Sequence, residues 1–270
     1  MDEKQAISQV FNLVSSQYDT PALRFFSSCA DKIVDEAQIK PGLKVLDIAT
    51  GTGKVARAIA QTVGSEDRVQ AIDLAEKMVE QAQENCSRVG LNNIDFHVMD
   101  GEALEFESNS FDVITCSYGL FFMPDMAAAL RSWLRVLKPG GKVIFSSFAP
   151  SAMQPLTEIF IKHLNEYEVF PPTPRWLQLA EEELCKTLLT DNGFASPRVT
   201  RQQLGYHHSS VDGWWEAIQS AGYRGLYEQL QEEHRAEFKQ KHLAEIEALV
   251  NEDGLWMDVE TLVSSAIKPR

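Results

Sequence analysis

Short apolar runs alternate along the chain with longer stretches in which apolar residues recur at helical spacing. Residues 5–36 read as two helices broken near Tyr18 to Pro21, and Pro41-Gly42 turns the chain into a first strand at 44–48. A helix over 51–63 follows, then a strand at 68–72, a helix over 75–89, and strands at 94–98 and 111–116. Residues 126–136 carry apolar positions at helical spacing and are closed by Lys138-Pro139-Gly140-Gly141, after which 142–148 form a fifth strand. Short apolar strands separated by helices imply a mostly parallel sheet covered on both faces.

Beyond residue 150 the pattern changes. Helices are expected at 156–166 and 177–192, a strand near 198–206, a glutamate-rich helical stretch over 211–250, and a final segment, 255–267, that can return to the sheet. The expectation is an α/β fold: a seven-stranded, mostly parallel sheet with helices on both faces and a helical cap inserted before the last strand. Three parts follow from it: N-terminal helices over 1–40, an α/β core over 41–150, and a C-terminal part, 151–270, with the cap and the last two strands.

Charge narrows the partners. The 270 residues carry 39 Asp and Glu against 25 Lys and Arg, a net charge of -14, which opposes both a nucleic-acid backbone and an anionic membrane surface. Neither is expected as a partner. The four cysteines, Cys29, Cys86, Cys116 and Cys185, form no CxxC pair, so neither a zinc knuckle nor a redox dithiol is indicated. The start, MDEKQ, lacks a basic segment followed by an apolar stretch, and no apolar run reaches ~18 residues, which points to a cytoplasmic protein.

The strongest local signal is Val45-Leu46-Asp47-Ile48-Ala49-Thr50-Gly51-Thr52-Gly53, an apolar strand running into a glycine turn and a helix. In open α/β sheets the ligand crevice lies beyond the carboxyl ends of the strands, with the first such turn as its floor. Gly51-Thr52-Gly53-Lys54-Val55-Ala56 also satisfies a dinucleotide fingerprint, with Asp73 placed 20 residues after Gly53. Asp47 tilts the balance: a carboxylate at the end of the first strand opposes a pyrophosphate but suits the cationic end of S-adenosylmethionine.

The order of motifs resembles that of class I S-adenosylmethionine-dependent methyltransferases of the ubiquinone/menaquinone-biosynthesis (type 11) kind, over roughly residues 11–148. The motifs are Tyr18-Asp19, VLDIATGTG from Val45, AIDLAEKM from Ala71, MDGEAL from Met99, FDVITCSYGLFFMPD from Phe111 and LKPGGKVIF from Leu137. The resemblance implies a Rossmann-like core, S-adenosylmethionine as methyl donor, and N-terminal helices covering its cleft. It places Ala49, Gly51 and Gly53 along the methionine part of the donor, with Asp47 near its ammonium group, and Asp73 on both ribose hydroxyls. Leu74 and Met78 would meet the adenine ring, Asp100 its amino group, and Gly101, Glu102 and Ala103 its edge. Ser117 and Tyr118 fall beside the methionine chain, Phe121 and Phe122 nearer the acceptor or else in the core, and Tyr18 over the donor.

A sulfonium already activates its methyl group, so the protein has to hold a small-molecule acceptor in line and exclude water, with no metal required. An amine acceptor needs only a neutral lone pair, whereas an aromatic hydroxyl needs a base. The candidates for catalytic work are Tyr18, His207 and His208, the two histidines lying at a strand end that can face the cleft or serve in structural hydrogen bonds. His234 and His242 fall in a charged helix and are expected to face solvent. Trp214-Trp215 reads as cap packing, or alternatively as an aromatic cage for a cation. The acidic run over 228–247 reads as a solvated face, or as an attractor of cationic substrates.

The residues Ser117-Tyr118-Gly119-Leu120 exclude the Asn/Asp-Pro-Pro-Tyr loop of DNA adenine and protein glutamine methyltransferases, and Thr115-Cys116 is not a Pro-Cys nucleophile. No cluster of Asp and Asn suggests a catechol-type metal site. An NAD(P)-dependent oxidoreductase and a donor-binding protein without turnover stay open as alternatives.

Overall fold

The computed structural model describes residues 2–64 and 67–270. Its main sheet contains β1 (Val45–Ile48), β2 (Val69–Asp73), β3 (Ile94–Val98), β4 (Phe111–Ser117), β5 (Leu137–Phe148), β6 (Ala195–Gln203) and β9 (Glu260–Ile267), while β7 (Tyr206–His208) and β8 (Leu255–Met257) form a separate two-stranded ribbon. The seven strands, the number the sequence pattern predicts, run in the order β3-β2-β1-β4-β5-β9-β6. All β1–β5 pairings are parallel, and β9 lies antiparallel between β5 and β6.

Burial explains the strand composition. All four residues of β1 are buried, and Val45 pairs in register with Val69 on one side and Val113 on the other. A central strand covered on both faces has no solvent side on which to alternate. At the edge, β3 carries Asp95 and His97 in partly exposed positions. Strand order reverses between β1 and β4, and their carboxyl ends open a crevice at that switch point.

The helices are α1 (Glu3–Val14), α2 (Phe25–Ala37), α3 (Lys54–Val63), α4 (Glu76–Arg88), α5 (Met126–Val136), α6 (Leu156–Glu166), α7 (Glu182–Asp191), α8 (Val211–Ser220), α9 (Arg224–Tyr227) and α10 (Glu232–Glu247). Asp2 starts α1 with a capping box: its carboxylate accepts from the Gln5 amide while the Gln5 side chain accepts from the Asp2 amide. In α3, Val55, Ala56, Ile59, Ala60 and Val63 are buried at helical spacing. Trp133 of α5 is fully buried, and its indole N–H donates to the Gly101 carbonyl at 2.8 Å. Among the described residues no helix is long and apolar enough to cross a membrane.

The C-terminal part departs from the expectation in three places. The helix expected over 177–192 is a single turn at Arg175–Leu179 followed by α7, because the Ser147 hydroxyl takes the Leu179 carbonyl at 2.7 Å and bends the chain there. The stretch over 211–250 is three helices, broken at Ala221-Gly222 and again after Glu228. The expected strand over 255–267 is two, β8 pairing with β7 and β9 entering the sheet. Helices α8 to α10 therefore sit between β7 and β8, at the far end of a long bent hairpin that begins in the sheet.

His242 is a further correction. It faces inward on α10 with Phe238 and Ile246, fully buried, because α6 and α8 pack on that side of an otherwise charged helix. The fully buried Trp214 donates its indole N–H to His242 Nε2 at 2.8 Å, which leaves the proton of the neutral ring on Nδ1, 3.2 Å from His163 Nδ1. His163 Nε2 lies 2.9 Å from Glu245 Oε2, and Lys162 pairs with the same carboxylate at 2.8 Å. His234 is partly exposed beside Glu233, as expected.

Burial, with His163 as a close neighbour, holds His242 down at about 3. The unfolded chain takes up a proton on this ring below about 6.5 while the folded protein does not, so stability declines as pH falls from about 6.5 towards 3. Acidification from pH 7 to 5 should cost about 2 kcal/mol through this residue. Urea midpoints across that range check it, and His242→Gln should show a shallower decline than the wild type.

Candidate active site

The turn after β1 needs left-handed backbone. Ala49, Gly51 and Gly53 have φ of 53°, 54° and 84°, and Gly53 then caps α3. Glycine adopts this region without a steric penalty, whereas Ala49 bears a cost of roughly 1–2 kcal/mol. Across the crevice Tyr118, just past β4, has φ 50°. Two strained non-glycine residues thus end the adjacent strands at the switch point, a placement typical of binding sites. Gly119 permits the close approach between them, since a Cβ there would lie 2.5 Å from Ala49 Cβ and 2.8 Å from Cys116 Sγ.

Three carboxylates stand around this turn in different environments. Asp47 is almost wholly buried, and its two oxygens each accept a 2.7 Å hydrogen bond, from Thr50 and from Thr115. Burial pushes it up to about 6 against the pull of those hydroxyls. Asp73, at the end of β2, accepts from the Gly51 amide at 2.8 Å on one oxygen and from the Ala75 amide at 2.9 Å on the other. Burial raises its pKa, and the backbone amides oppose the rise. Asp100 accepts from the Glu102 amide at 2.9 Å and from Lys4 Nζ at 2.6 Å, and Lys4 also reaches Glu102 at 2.5 Å.

Asp73 and Asp100 border a cavity, open to solvent, at the carboxyl ends of β1, β2 and β4. Its walls include Tyr18, Ala49, Gly51, Asp73, Leu74, Met78, Asp100, Gly101, Glu102, Ser117 and Tyr118. Helix α1 roofs it with Lys4, Ile7, Ser8 and Phe11, one helical face. Ser8 Oγ donates to the Leu74 carbonyl at 3.3 Å, Asn12 Oδ1 accepts from the Lys77 amide at 2.9 Å, and Val14, Ala75 and Met78 pack with Phe11 and Tyr18. The sequence predicts a helix here, but neither this face nor its target. Met99, Met123 and Pro124, which fall inside the motifs but have no role assigned by them, also line the cavity.

An aromatic wall continues from the roof. Phe11 meets Phe122 edge-on at 5.0 Å, Tyr18 stacks on Phe26 at 4.9 Å, and Tyr118 stacks on Phe148 at 4.4 Å. The Tyr118 hydroxyl is tied to Thr261 at 2.6 Å, and its amide donates to Ser146 at 3.0 Å. Phe122 lines the cavity, whereas Phe121 is buried against Phe148 in the core.

Several expected residues stand elsewhere. Asp47, Gly53 and Ala103 do not line the cavity: Asp47 lies beneath the glycine turn with both oxygens engaged, and Gly53 faces α4, where a Cβ would meet Ala82 at 3.2 Å. His207 and His208 lie on β7 and do not line it either, because that strand leaves the sheet to pair with β8. The His207 ring rests 5.0 Å from Trp256, while His208 is buried against Tyr206 and Gly213 and held down at about 4 by burial and by Arg24. Trp214 is cap packing, and Trp215 packs on Tyr227 and Lys239. Cys116 is fully buried within β4, and burial pushes its thiol well up.

Replacing Asp47 with alanine strips the acceptor from two hydroxyls, one of them on the fully buried Thr115. Asp47→Ala should therefore lose about 3 kcal/mol of stability, read from urea denaturation at pH 7.

The sequence pattern of the ubiE/COQ5 methyltransferase family matches residues 1–183. The chain is 33% identical over 216 residues to the aklanonic acid methyltransferase DauC of Streptomyces sp. (strain C5), a match spanning 75% of this chain and 97% of that protein. It is 30% identical over 208 residues to the ubiquinone/menaquinone biosynthesis C-methyltransferase UbiE of Cronobacter sakazakii, spanning 70% of this chain and 82% of the relative. Among solved structures, the YcgJ protein of Bacillus subtilis shares the fold with a TM-score of 0.62 at 22% identity, over 90% of this chain and 99% of that one. The family match sets aside the NAD(P) oxidoreductase alternative. With the motifs in order and the cavity at the switch point of the sheet, the chain belongs to the ubiE/COQ5 methyltransferase family and is an S-adenosylmethionine-dependent methyltransferase of small molecules.

Proposed function

We propose that S-adenosylmethionine occupies the cavity with its ribose on Asp73, its adenine by Leu74, Met78 and Asp100, and its methionine part along Ala49, Gly51, Ser117 and Tyr118. The observation that carries this reading is the Asp73 carboxylate. Backbone amides fix both of its oxygens from behind, and each keeps a further lone pair for hydroxyls in a cavity the residue itself lines. Charge-assisted hydrogen bonds of that kind contribute about 1.5–3 kcal/mol each. Bound there, the donor supplies a methyl group already activated by its sulfonium.

The residues then have to orient the acceptor and exclude water. Residues 1–40 serve as the lid, 41–150 as the donor-binding core and 151–270 as the part that selects the acceptor. Burial and the neighbouring carboxylates of Asp73 and Asp19 push the Tyr18 hydroxyl well up, so it stays protonated and acts as a donor to ligand oxygen, not as a base. The aromatic wall favours an aromatic hydroxyl compound over an amine, because ring faces and edges complement another ring. Relatives named for aklanonic acid and for ubiquinone and menaquinone biosynthesis support a ring-bearing acceptor. Four buried free thiols fit a reducing compartment, the cytoplasm.

Isothermal titration of the wild type with S-adenosylmethionine should give saturable binding that weakens at least about tenfold in Asp73→Ala. NAD should not bind; tighter binding of NAD, or none of the methyl donor, overturns the reading. No histidine lines the cavity among the described residues, and in this reading its carboxylates Asp73 and Asp100 are engaged by the donor and Glu102 by Lys4, so a phenolic acceptor loses its proton by its own ionisation. With a phenolic acceptor, kcat/KM should rise with pH along the acceptor's own titration, and the His207→Ala and His208→Ala profiles should keep that shape. A profile that loses a limb in either variant rules this out.

A further inference from the structure

The bend that carries Tyr18 has little secondary structure of its own. The chain leaves α1 through a single turn at Ser15–Gln17 and reaches α2 through another at Pro21–Leu23. Tyr18 nonetheless has a defined place, its ring edge 3.9 Å from where a Cβ on Gly51 would stand. Thr20 ties one end of the bend to Glu216 of α8. The other tie is Asp19, the second residue of the Tyr18-Asp19 motif, and it does not line the cavity.

Every contact of the Asp19 carboxylate leads to the donor-binding core. One oxygen accepts from Thr52 Oγ1 at 2.8 Å and pairs with Lys54 Nζ at 2.6 Å, and the other accepts from Asn85 Nδ2 at 2.7 Å. Asn85 also donates to the Thr52 carbonyl at 3.1 Å, which closes a small network. The partners belong to the glycine turn, the first residue of α3, and α4. The amino-terminal end of α3 adds partial positive charge near the carboxylate. Against the upward push of burial, Lys54, Thr52 and Asn85 hold Asp19 below the usual carboxylate range.

We propose that Asp19 is a positioning residue for the methyl donor: it fastens the α1–α2 bend to the glycine turn and so holds Tyr18 over Gly51 and beside Asp73. The proposal rests on the donor occupying that cavity. Asp19 touches neither the donor nor the acceptor, and it acts on binding through Tyr18. Because Thr52 lies on the glycine turn along which the donor runs in this reading, the order of the bend and donor binding are coupled there.

A double-mutant cycle on donor affinity tests it. Asp19→Ala, Lys54→Met, Tyr18→Ala and the double variant Asp19→Ala/Tyr18→Ala are titrated with S-adenosylmethionine and melted in parallel. Asp19→Ala and Lys54→Met should each weaken binding by about tenfold, and the double variant should bind no more weakly than Tyr18→Ala alone. Asp19→Asn, which keeps a hydrogen-bonding side chain but loses the charge facing Lys54, should fall between wild type and Asp19→Ala. Unchanged affinity in Asp19→Ala overturns the proposal, and so does an additive loss in the double variant, since a purely structural role would persist without Tyr18. If Asp19→Ala does not fold, Lys54→Met combined with Tyr18→Ala carries the same cycle. A wild type that binds no donor removes the donor reading and this proposal together, whereas donor binding that weakens in Asp73→Ala but not in Asp19→Ala removes this proposal alone.

Discussion

Asp47 accepts one hydrogen bond from Thr50 and another from Thr115, and this pair of bonds joins the glycine turn to the neighbouring strand where the order of the sheet reverses. A buried carboxylate costs free energy unless its oxygens are satisfied, so the turn is held in the one conformation that satisfies them. The strained backbone at Ala49 and the Gly51 amide that reaches Asp73 depend on that conformation. The residue the sequence suggests as a ligand contact does not line the cavity and instead supports its floor.

The roof is built differently. Helix α1 holds its place through separate local contacts: Lys4 on Asp100 and Glu102, Ser8 on the Leu74 carbonyl, Asn12 on the Lys77 amide, and a small apolar group around Met78. Each is modest, and none belongs to the main core, so this segment is a low-cost place for the cavity to open. A floor locked by buried hydrogen bonds and a roof held by a few local contacts outside the main core suit a site that must admit its ligands and then exclude water.

The cap follows from the same economy of connections. Because β9 returns between β5 and β6, everything inserted in that hairpin is carried to one end of the sheet, where α8 packs on the Pro21–Leu23 turn between α1 and α2. Its interior is partly polar: Trp214, His242 and His163 form a chain in which the indole donor sets the His242 tautomer. Its members come one each from α8, α10 and α6, which ties the packing of those helices together.

The sheet, its mostly parallel character and about half of the cavity wall are legible in the sequence, because period and motif order are local properties that the chain carries wherever it folds. Val45 to Gly53 announced both a strand and a turn, and Asp73 stood at a spacing with a chemical meaning. What the sequence could not decide was direction. Asp47 reads as a carboxylate at a strand end, yet whether it faces a ligand or two threonines depends on β4, 68 residues away from it at Thr115. His207 and His208 read as a strand end near a cleft until β7 leaves the sheet for β8, and His242 reads as surface until α6 and α8 cover it. Local patterning determines which elements form; only the packing of elements distant in sequence decides which way their polar side chains point, and hence which of them meet a ligand.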